Sequence, residues 1–379
     1  MKIVDVRTTV LRQPDVKPIA DGIQDVLIIE VLTDEGVTGI GEVQTSPFVA
    51  KAVIESPVSH VASRGLKSIL VGRNPLEREI LWEDMYRFTS VYGRRGVVIH
   101  TISGIDMALW DIAGKVARMS VTQLLGGENG KRVRAYASLL MPSSPDEVRR
   151  EVRKYVEQGF SAIKLGWGPL EGDLKACIKL VEAARDEAGE NIDIMVDVGF
   201  GHNVTQAIQF ARALEALEVY FLEEPLSPDD LAGYAKLTRK VKIPIAAGEK
   251  ETTLQGFIQL VEQGGVDIIQ PDVSRAGGLT ECKKIIDFAR KRGIMCIPHC
   301  WSTDILLSAT LHLVSCIPDI PYVEFCVLET PLRRRVVTEP INVVDGMVQA
   351  PQGPGLGVEL NRETMRQFAV STLCTNNSV

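Results

Sequence analysis

The 379-residue sequence lacks several features that would place it in whole classes of protein. No uninterrupted apolar run approaches the roughly 18 residues that a spanning helix needs, so we expect no membrane segment. The seven cysteines are odd in number and show no CxxC spacing, which favours reduced thiols over a disulfide framework. The first residues also lack the charged-then-apolar profile of a secretory signal. We therefore expect a cytoplasmic protein.

Concentrated positive charge is missing as well. The formal net charge is −7, and acidic and basic residues are interspersed without a basic stripe. Because nucleic-acid binding depends on clustered lysine and arginine, we expect no nucleic-acid partner. With 45% hydrophobic and 24% charged residues, the composition is that of an ordinary globular protein, and the length suits one large and one smaller domain.

The first third of the chain predicts a small α+β domain, which we assign to residues 1–125. Residues 2–12 alternate as a strand does, and the apolar runs 26–33 and 37–43 flank a hairpin signal. Three helical patterns follow, at about 48–70, 75–89 and 98–119.

Strands and helices alternate through residues 126–330. Eight strands are predicted, at 133–139, 161–166, 192–197, 219–223, 244–249, 267–271, 294–299 and 322–326. Eight strands joined by helical crossovers indicate a closed parallel barrel. One crossover helix has a clear start, since Ser144 is followed by a proline and, three residues on, by Glu147.

The tail, residues 331–379, carries a hairpin signal at 343–348. A β-hairpin does not belong to the helical ring of a barrel. We therefore expect the tail to return to the first domain and complete it.

Three carboxylates stand 26 residues apart, each after a short apolar run: Asp197, Glu223 and Glu249. That interval is one strand, one helix and two loops, so the three side chains should end neighbouring parallel strands and converge. Converging carboxylates repel one another unless a hard cation holds them, and Mg²⁺ is the usual choice. A single acid at a strand end is more often a solvated or salt-bridged residue, but three at equal intervals favour a metal site.

Other barrel strands also end in titratable side chains. His299 ends the seventh strand, and Asp272, 27 residues earlier, can accept its imidazole N–H, which fixes the tautomer and raises the basicity. Lys164 faces the barrel interior if its neighbour faces the helices, and Glu324 ends the eighth strand. Each alone could be structural, but together they favour an active site at the carboxyl ends of the strands.

The chain resembles the enolase superfamily, in its mandelate racemase subgroup. The resemblance extends over nearly the whole length and includes the stretch from Ser103 to Asp111, the Glu223-Glu224-Pro225 motif and Gly248-Glu249. It implies a (β/α)7β barrel, similar to a TIM barrel, under an α+β cap built from the N-terminal segment and the C-terminal tail. It also implies a homo-oligomer, either a dimer or an octamer.

The same resemblance implies roles for the strand-end residues. One Mg²⁺ would be held by the three carboxylates and would bind the substrate carboxylate, beside which an α-proton is removed to give an enediolate. His299 would be the base, oriented by Asp272. Glu324 would hydrogen-bond the enediolate, provided it is protonated.

The sequence departs from the subgroup at Gly166. Relatives often carry Lys-x-Lys on this strand, with the second lysine as a base opposite the histidine, but here the motif is Lys164-Leu165-Gly166. Residues two apart point the same way on a strand, so the inward place of that base is empty. Lys164 either neutralises the substrate carboxylate or reaches in as a second acid and base. One clear base weakens racemisation and favours β-elimination of water.

The sequence therefore predicts a Mg²⁺-dependent acid-sugar dehydratase that makes a 2-keto-3-deoxy acid from a small acid-sugar substrate. The alternatives are an isomerase on the same scaffold, meaning an epimerase, racemase or lactone cycloisomerase, and a non-catalytic binding barrel. Specificity should come from the cap loops at about 14–24 and 44–50. Arg94 and Arg95 could meet a distal hydroxyl or a second carboxylate of the substrate, or be solvated at the surface. His202 could touch substrate or be a solvated loop residue.

Overall fold

A computed structural model describes residues 1–17, 19, 23–199 and 201–370 of the chain. It confirms the predicted fold class: an antiparallel capping sheet with helices, followed by a parallel (β/α)7β barrel. Part of the predicted substrate loop 14–24 and the last nine residues of the tail lie outside the described residues. The exact domain limits at 125 and 330 stay predictions.

The cap sheet forms from one hairpin and two flanking strands. Its N-terminal strands are β1 (Ile3–Arg12), β2 (Asp25–Thr33) and β3 (Thr38–Val43). All pair antiparallel, and β2 is buried nearly throughout because helices cover one face while the barrel lies against the other. The helices that follow are α1 (Pro47–Glu55), α2 (Leu66–Leu70), α3 (Arg78–Gly93), α4 (Val97–Ala117) and α5 (Val121–Leu124).

The single helix predicted over 48–70 is wrong, because the structure divides it into α1 and α2. Ser56 ends α1 with an extended backbone, as expected for a residue that precedes proline. Gly65 begins α2 where a Cβ atom would lie 2.0 Å from the Ser56 carbonyl oxygen. The segment between them therefore folds back on itself and does not continue the helix.

Helix α4 is long and apolar enough to cross a membrane, yet 89% of its most apolar window is buried inside the protein. It is thus a helix of the protein core. Its polar residues dock the cap on the barrel: Ser103 accepts the Gly277 N–H at 2.9 Å, and Asp106 accepts the Thr280 N–H at 2.9 Å and its hydroxyl at 2.6 Å. Asp111 accepts the N–H groups of Ile40 and Leu356.

Replacing Asp106 by alanine should lower the free energy of unfolding by about 3 kcal/mol, because the Thr280 N–H and hydroxyl would stay buried without an acceptor. Urea unfolding followed by circular dichroism measures the loss. Asp106→Asn is the matched control, since it retains one acceptor oxygen and should lose less. An equal loss in both variants would contradict this account of the interface.

The first seven barrel strands pair in chain order, and the eighth pairs with the first. They are β4 (Arg132–Leu140), β5 (Ala162–Gly166), β6 (Asp193–Asp197), β7 (Phe221–Glu223), β8 (Ile245–Ala247), β9 (Ile268–Ile269), β10 (Met295–Cys296) and β11 (Val323–Cys326). The crossover helices are α6 (Pro145–Glu157), α7 (Leu174–Ala188), α8 (Val204–Ala216), α9 (Leu231–Thr238), α10 (Thr253–Gln259), α11 (Gly278–Arg292) and α12 (Asp304–Val314). Ser144 caps α6 in the reciprocal arrangement with Glu147 that the sequence predicts.

The lower half of the barrel interior is filled by one side chain from each strand or its flank. These side chains form an apolar cluster: Tyr136, Ala162, Met195, Phe221, Ala246, Ile268, Ile297 and Tyr322. Since strand side chains alternate, the residues two positions further along face the same interior, nearer the carboxyl ends. This apolar cluster, which we call the apolar plug, therefore fills the lower part of the barrel interior. The part nearer the carboxyl ends of the strands is left for polar side chains.

The tail is only partly as predicted. After α13 (Pro331–Arg335), strand β12 (Met347–Gln349) pairs antiparallel with residues 132–134 of β4, so the hairpin joins the barrel and its assignment to the cap is wrong. Residues 132–134 precede the positions at which β4 meets its parallel neighbours, which leaves their backbone groups free for this strand. Helix α14 (Arg362–Phe368) and strand β13 (Ala369–Val370) then return to the cap, where β13 pairs with β1.

His312 on α12 should make the fold sensitive to acid. Its Nδ1 accepts the Thr122 N–H at 3.2 Å and its Nε2 donates to the Leu356 carbonyl at 3.0 Å, so the neutral ring satisfies both neighbours. Burial lowers the pKa of His312 to about 4 from its usual 6.5. The unfolded chain therefore binds this proton more tightly, and the stabilisation present above pH 6.5 is lost as the pH falls toward 4.

We expect this group to account for about 2 kcal/mol of the loss of stability between pH 7 and pH 5. Urea unfolding of the wild type and of His312→Gln at both values measures it. The variant should be less stable at pH 7 and lose less on acidification. A wild type and variant with the same pH dependence would show that His312 does not carry the effect.

Candidate active site

Polar side chains form a layer directly above the apolar plug, where the strands end. Seven of them lie two residues beyond a member of the plug: Ser138, Lys164, Asp197, Glu223, Gln270, His299 and Glu324. The eighth strand position is Gly248, whose φ of 132° lets the chain turn so that Glu249, one residue later, takes the inward place. All eight of these polar residues are buried.

The three carboxylates predicted from their spacing come together. Strand register places Gly166 beside Asp197 and Asp197 beside Glu223. One oxygen each from Asp197, Glu223 and Glu249 lies within 4.8 Å of the others. Glu224 is not a member of this group; it accepts the Gly248 N–H at 2.8 Å and pairs with Lys250 at 3.4 Å. The sequence argument that chose Glu223 over its neighbour agrees with this geometry.

Two of the three carboxylates of the triad, Asp197 and Glu223, are harder to ionise here than in water. Burial raises the pKa of Asp197 to about 7 and that of Glu223 to about 8, and the neighbouring carboxylates add to the effect while Lys164 opposes it. Burial also opposes ionisation of Glu249, but the charges of His299, Lys250 and Arg275 hold its pKa below the usual range. Three buried carboxylates whose oxygens converge in this way are suited to bind a divalent metal ion.

His299 and Asp272 form the predicted pair. Nδ1 of His299 lies 2.6 Å from Oδ2 of Asp272, and Asp272 in turn accepts the N–H and hydroxyl of Ser274, both at 2.6 Å. This network fixes Nδ1 as the donor, so Nε2 is the atom that faces the triad, 3.2 Å from Glu249. Burial disfavours the charged ring, but Glu249 and Glu324 raise the pKa of His299 above its usual value.

Lys164 faces the interior, as the strand alternation predicts, and lies between two carboxylates. Its Nζ is 2.8 Å from Glu223 Oε1 and 2.8 Å from Glu324 Oε1. Burial alone would neutralise this amine, but Glu223 and Glu324 raise its pKa well above the usual value. Lys164 is therefore a fixed positive charge in this arrangement.

Glu324 does not meet the condition under which it would donate a hydrogen bond. Its oxygens accept from Lys164, from the Ser138 hydroxyl at 2.7 Å and from the Cys300 N–H at 2.6 Å. Burial opposes ionisation, but Lys164 and His299 lower the pKa of Glu324 below its usual value. These neighbours are all donors, so the arrangement favours an ionised Glu324, and the hydrogen bond that a protonated Glu324 would make to the enediolate stays a prediction.

A cavity of about 270 Å³ opens above these residues and reaches the cap. From the barrel it is lined by Ser138, Leu139, Leu140, Lys164, Gly166, Trp167, Asp197, Glu249, Arg275, His299, Trp301 and Glu324, and from the cap by Ile19 and Gln44. The two cap residues come from the loops predicted to set specificity. Arg275 and Gln44 were not singled out from the sequence, because only the docking of the cap brings them together.

Three other residues lie outside this cavity. Arg95 donates to the Thr252 carbonyl and to Gln259 and so joins the cap to the barrel, and Arg94 is exposed. His202 is buried and packs edge-on against Phe210, so the expectation of a solvated loop histidine is wrong.

Comparison with known families identifies this arrangement. Residues 5–126 match the model "Mandelate racemase / muconate lactonizing enzyme, N-terminal domain", and residues 147–364 match "Enolase C-terminal domain-like". The chain belongs to the mandelate racemase/muconate lactonizing enzyme subgroup of the enolase superfamily. It is thus an enzyme of that subgroup, and its buried carboxylate triad fits the divalent metal site typical of the family.

Relatives within the enolase superfamily include different activities. The chain is 33% identical to D-galactarolactone cycloisomerase of Agrobacterium fabrum, with 90% of each chain covered. It is 32% identical to arabinonate dehydratase of Saccharolobus solfataricus, with 93% of each covered. Among solved structures, the 3,6-anhydro-D-galactonate cycloisomerase of Zobellia galactanivorans superimposes with a TM-score of 0.88 at 32% identity, covering 98% of this chain and all of that one.

Proposed function

We propose that the protein is a Mg²⁺-dependent acid-sugar dehydratase that converts a 2,3-dihydroxy acid to a 2-keto-3-deoxy acid. The observation that carries the proposal is the single imidazole base, His299 Nε2, facing a carboxylate triad with a fixed lysine beside it. The similarity to arabinonate dehydratase supports the substrate class. The expected cytoplasmic location and the dimeric or octameric state rest on the sequence and stay predictions.

Asp197, Glu223 and Glu249 would hold the metal ion. The fit is chemical: three buried carboxylates with oxygens inside 4.8 Å, two of them with raised pKa values, need a cation to be ionised together. When bound, Mg²⁺ supplies positive charge beside the substrate carboxylate and so stabilises the enediolate that forms when the α-proton leaves.

The residues of the chain account for the remaining steps. His299 Nε2 removes the α-proton, while Asp272 holds the ring in the required tautomer and stabilises its positive charge. Lys164 offsets charge on the substrate carboxylate, and Glu324 orients Lys164. The protonated His299 then returns the proton to the 3-hydroxyl as the C3–O bond breaks, which releases water and leaves an enol that becomes the keto acid.

The structure also gives a reason for the glycine at position 166. A Cβ atom there would lie 3.0 Å from the Cβ of Asp197 and 3.1 Å from its Oδ2. A side chain there would therefore require Asp197, a proposed metal ligand, to shift by a few tenths of an ångström. This supports elimination over racemisation, because the face opposite His299 has no base at this position.

A lactone cycloisomerase is the second candidate, favoured by the similarity to two cycloisomerases, one of which is named for a lactone. Cycloisomerisation breaks a ring C–O bond in place of a hydroxyl C–O bond and needs the same single base. The two candidates differ in substrate and in mass balance, because only the dehydratase releases water.

A substrate screen tests both. We expect open-chain aldonates or aldarates, incubated with the Mg²⁺-loaded enzyme, to give a keto acid that reacts with semicarbazide and has lost the mass of one water. Conversion of lactones without change of mass would instead establish the cycloisomerase. Deuterium exchange at the α-carbon with inversion and no keto acid would show that both are wrong and that the enzyme is an epimerase or racemase.

A further inference from the structure

Gln44 occupies a boundary between the active-site cavity and the protein surface. It directly follows strand β3 of the cap sheet and is 7% exposed. It lines the 270 Å³ cavity and also an outer groove of about 320 Å³ between the cap and the barrel. Among the described cap residues it is the one polar side chain that lines the cavity, so it is the cap's available hydrogen-bonding group there.

The orientation of the Gln44 amide is set by Arg275. One guanidinium nitrogen of Arg275 donates to Gln44 Oε1, and the other donates to the Glu249 carbonyl at 3.2 Å and lies 3.9 Å from the Glu249 carboxylate. Arg275 has only donors, so the amide oxygen and not the nitrogen must face it. The two N–H bonds of Gln44 Nε2 therefore do not point at Arg275.

No described residue accepts a hydrogen bond from those donors. In the part of the chain that the structure describes, the one hydrogen bond of the Gln44 side chain is that with Arg275, and Nε2 is not a sealed, unpaired atom. It can therefore reach a molecule in the cavity. Because the guanidinium that holds it lies beside the triad residue Glu249, such a molecule would span the metal ligands and the cap.

We propose that Gln44 is a specificity-determining residue that donates a hydrogen bond from Nε2 to a hydroxyl oxygen of the acid-sugar substrate, with Arg275 as its positioning residue. The inference rests on the proposed function, since it takes a polyhydroxylated acid as the substrate. A site with a fixed donor discriminates strongly against an analogue that lacks the matching hydroxyl, because the donor is then left unpaired.

Gln44→Glu is the decisive variant, since a carboxylate still accepts from Arg275 but has no N–H to donate. The probe is the aldonate or aldarate with the highest kcat/KM in the screen, together with its analogues that each lack one hydroxyl group. We expect Gln44→Glu to lower kcat/KM for the full substrate about 10-fold to 100-fold, chiefly through KM. For one of the deoxy analogues the variant and the wild type should differ by less than about threefold.

Three further results decide the matter. Gln44→Met, which has no N–H to donate and no oxygen to accept from Arg275, should lose at least as much as Gln44→Glu. If Gln44→Glu keeps wild-type kcat/KM while Gln44→Met loses it, Gln44 only supports Arg275 and the proposal is wrong. A loss in Gln44→Glu that is equal for every deoxy analogue would also overturn it, because no hydroxyl would be its partner.

Binding without turnover separates this proposal from the proposed reaction. In a His299→Asn background, calorimetric affinity for the same acid sugar should fall on Gln44→Glu and stay unchanged on His202→Asn, which lies outside the cavity. If the protein releases no water from any acid sugar, the probe is the aldonate or aldarate with the highest calorimetric affinity, and a Gln44-dependent affinity for it would uphold the binding role and reject the dehydratase. Turnover with a Gln44-independent affinity would do the reverse.

Discussion

Replacing His299 by asparagine is expected to lower kcat by about 10³-fold to 10⁴-fold without a comparable change in thermal stability. The imidazole is the one group that both faces the carboxylate triad through Nε2 and is held by a carboxylate through Nδ1, at 2.6 Å from Asp272. Asparagine can still donate toward Asp272 but cannot take a proton. Keto-acid release measured with semicarbazide gives the loss.

His202→Asn is the matched control, because His202 is equally buried but packs on Phe210 outside the cavity and should keep full activity. Solvent deuterium gives a second measurement. The wild type should introduce deuterium at the α-carbon of a slow substrate, and His299→Asn should not. Exchange that continues in the variant would assign proton removal to another group, and Lys164 would be the first to examine.

The strand-end chemistry could be predicted because it depends on local chain order. Parallel strands in successive units end at one edge, so an interval of 26 residues between Asp197, Glu223 and Glu249 becomes proximity in space. The same alternation that buries Tyr136 and Met195 in the plug turns the residues two positions later inward. The spacing of the carboxylates along the chain and the two-residue alternation of the strands were sufficient to predict this site, and the packing angles did not have to be known.

Contacts that depend on how the domains dock could not be predicted in this way. Gln44 and Arg275 are 231 residues apart, and nothing in either segment signals the other. Whether Glu324 is protonated could not be judged from the sequence for a similar reason, since the lysine beside it comes from a strand on the other side of β4. To predict which charged groups interact inside a barrel, the positions of their side chains must be known.

The tail shows a third limit. A hairpin signal locates a turn but not the strand that the hairpin will join. Its partner proved to be the start of β4, which extends below its parallel neighbours and offers unpaired backbone groups. Such an overhang is visible only once the register of the whole barrel is known.

Removing the divalent metal should abolish activity, by at least about 10³-fold, and Mg²⁺ should restore it. The reason lies in the buried triad: burial raises the pKa of Asp197 to about 7 and that of Glu223 to about 8 when no cation is present. These groups must be ionised to act as ligands, so binding of Mg²⁺ should release protons near pH 7 and tighten as the pH rises from 6 to 8. Dialysis against EDTA followed by calorimetric titration with Mg²⁺, in two buffers of different ionisation enthalpy, measures both effects.

Two variants of one strand test whether this linkage belongs to the triad. Asp197→Asn removes a ligand at the carboxyl end of β6, and it should weaken Mg²⁺ binding at least about 10-fold and reduce proton release. Asp193→Asn changes the opposite end of the same strand, where the carboxylate accepts the Tyr322 hydroxyl at 2.6 Å, and it should leave both unchanged. Full activity after EDTA treatment, or Mg²⁺ binding that neither releases protons nor depends on Asp197, would show that the three carboxylates do not hold the ion. The reaction would then have to depend on Lys164 alone for positive charge at the substrate carboxylate.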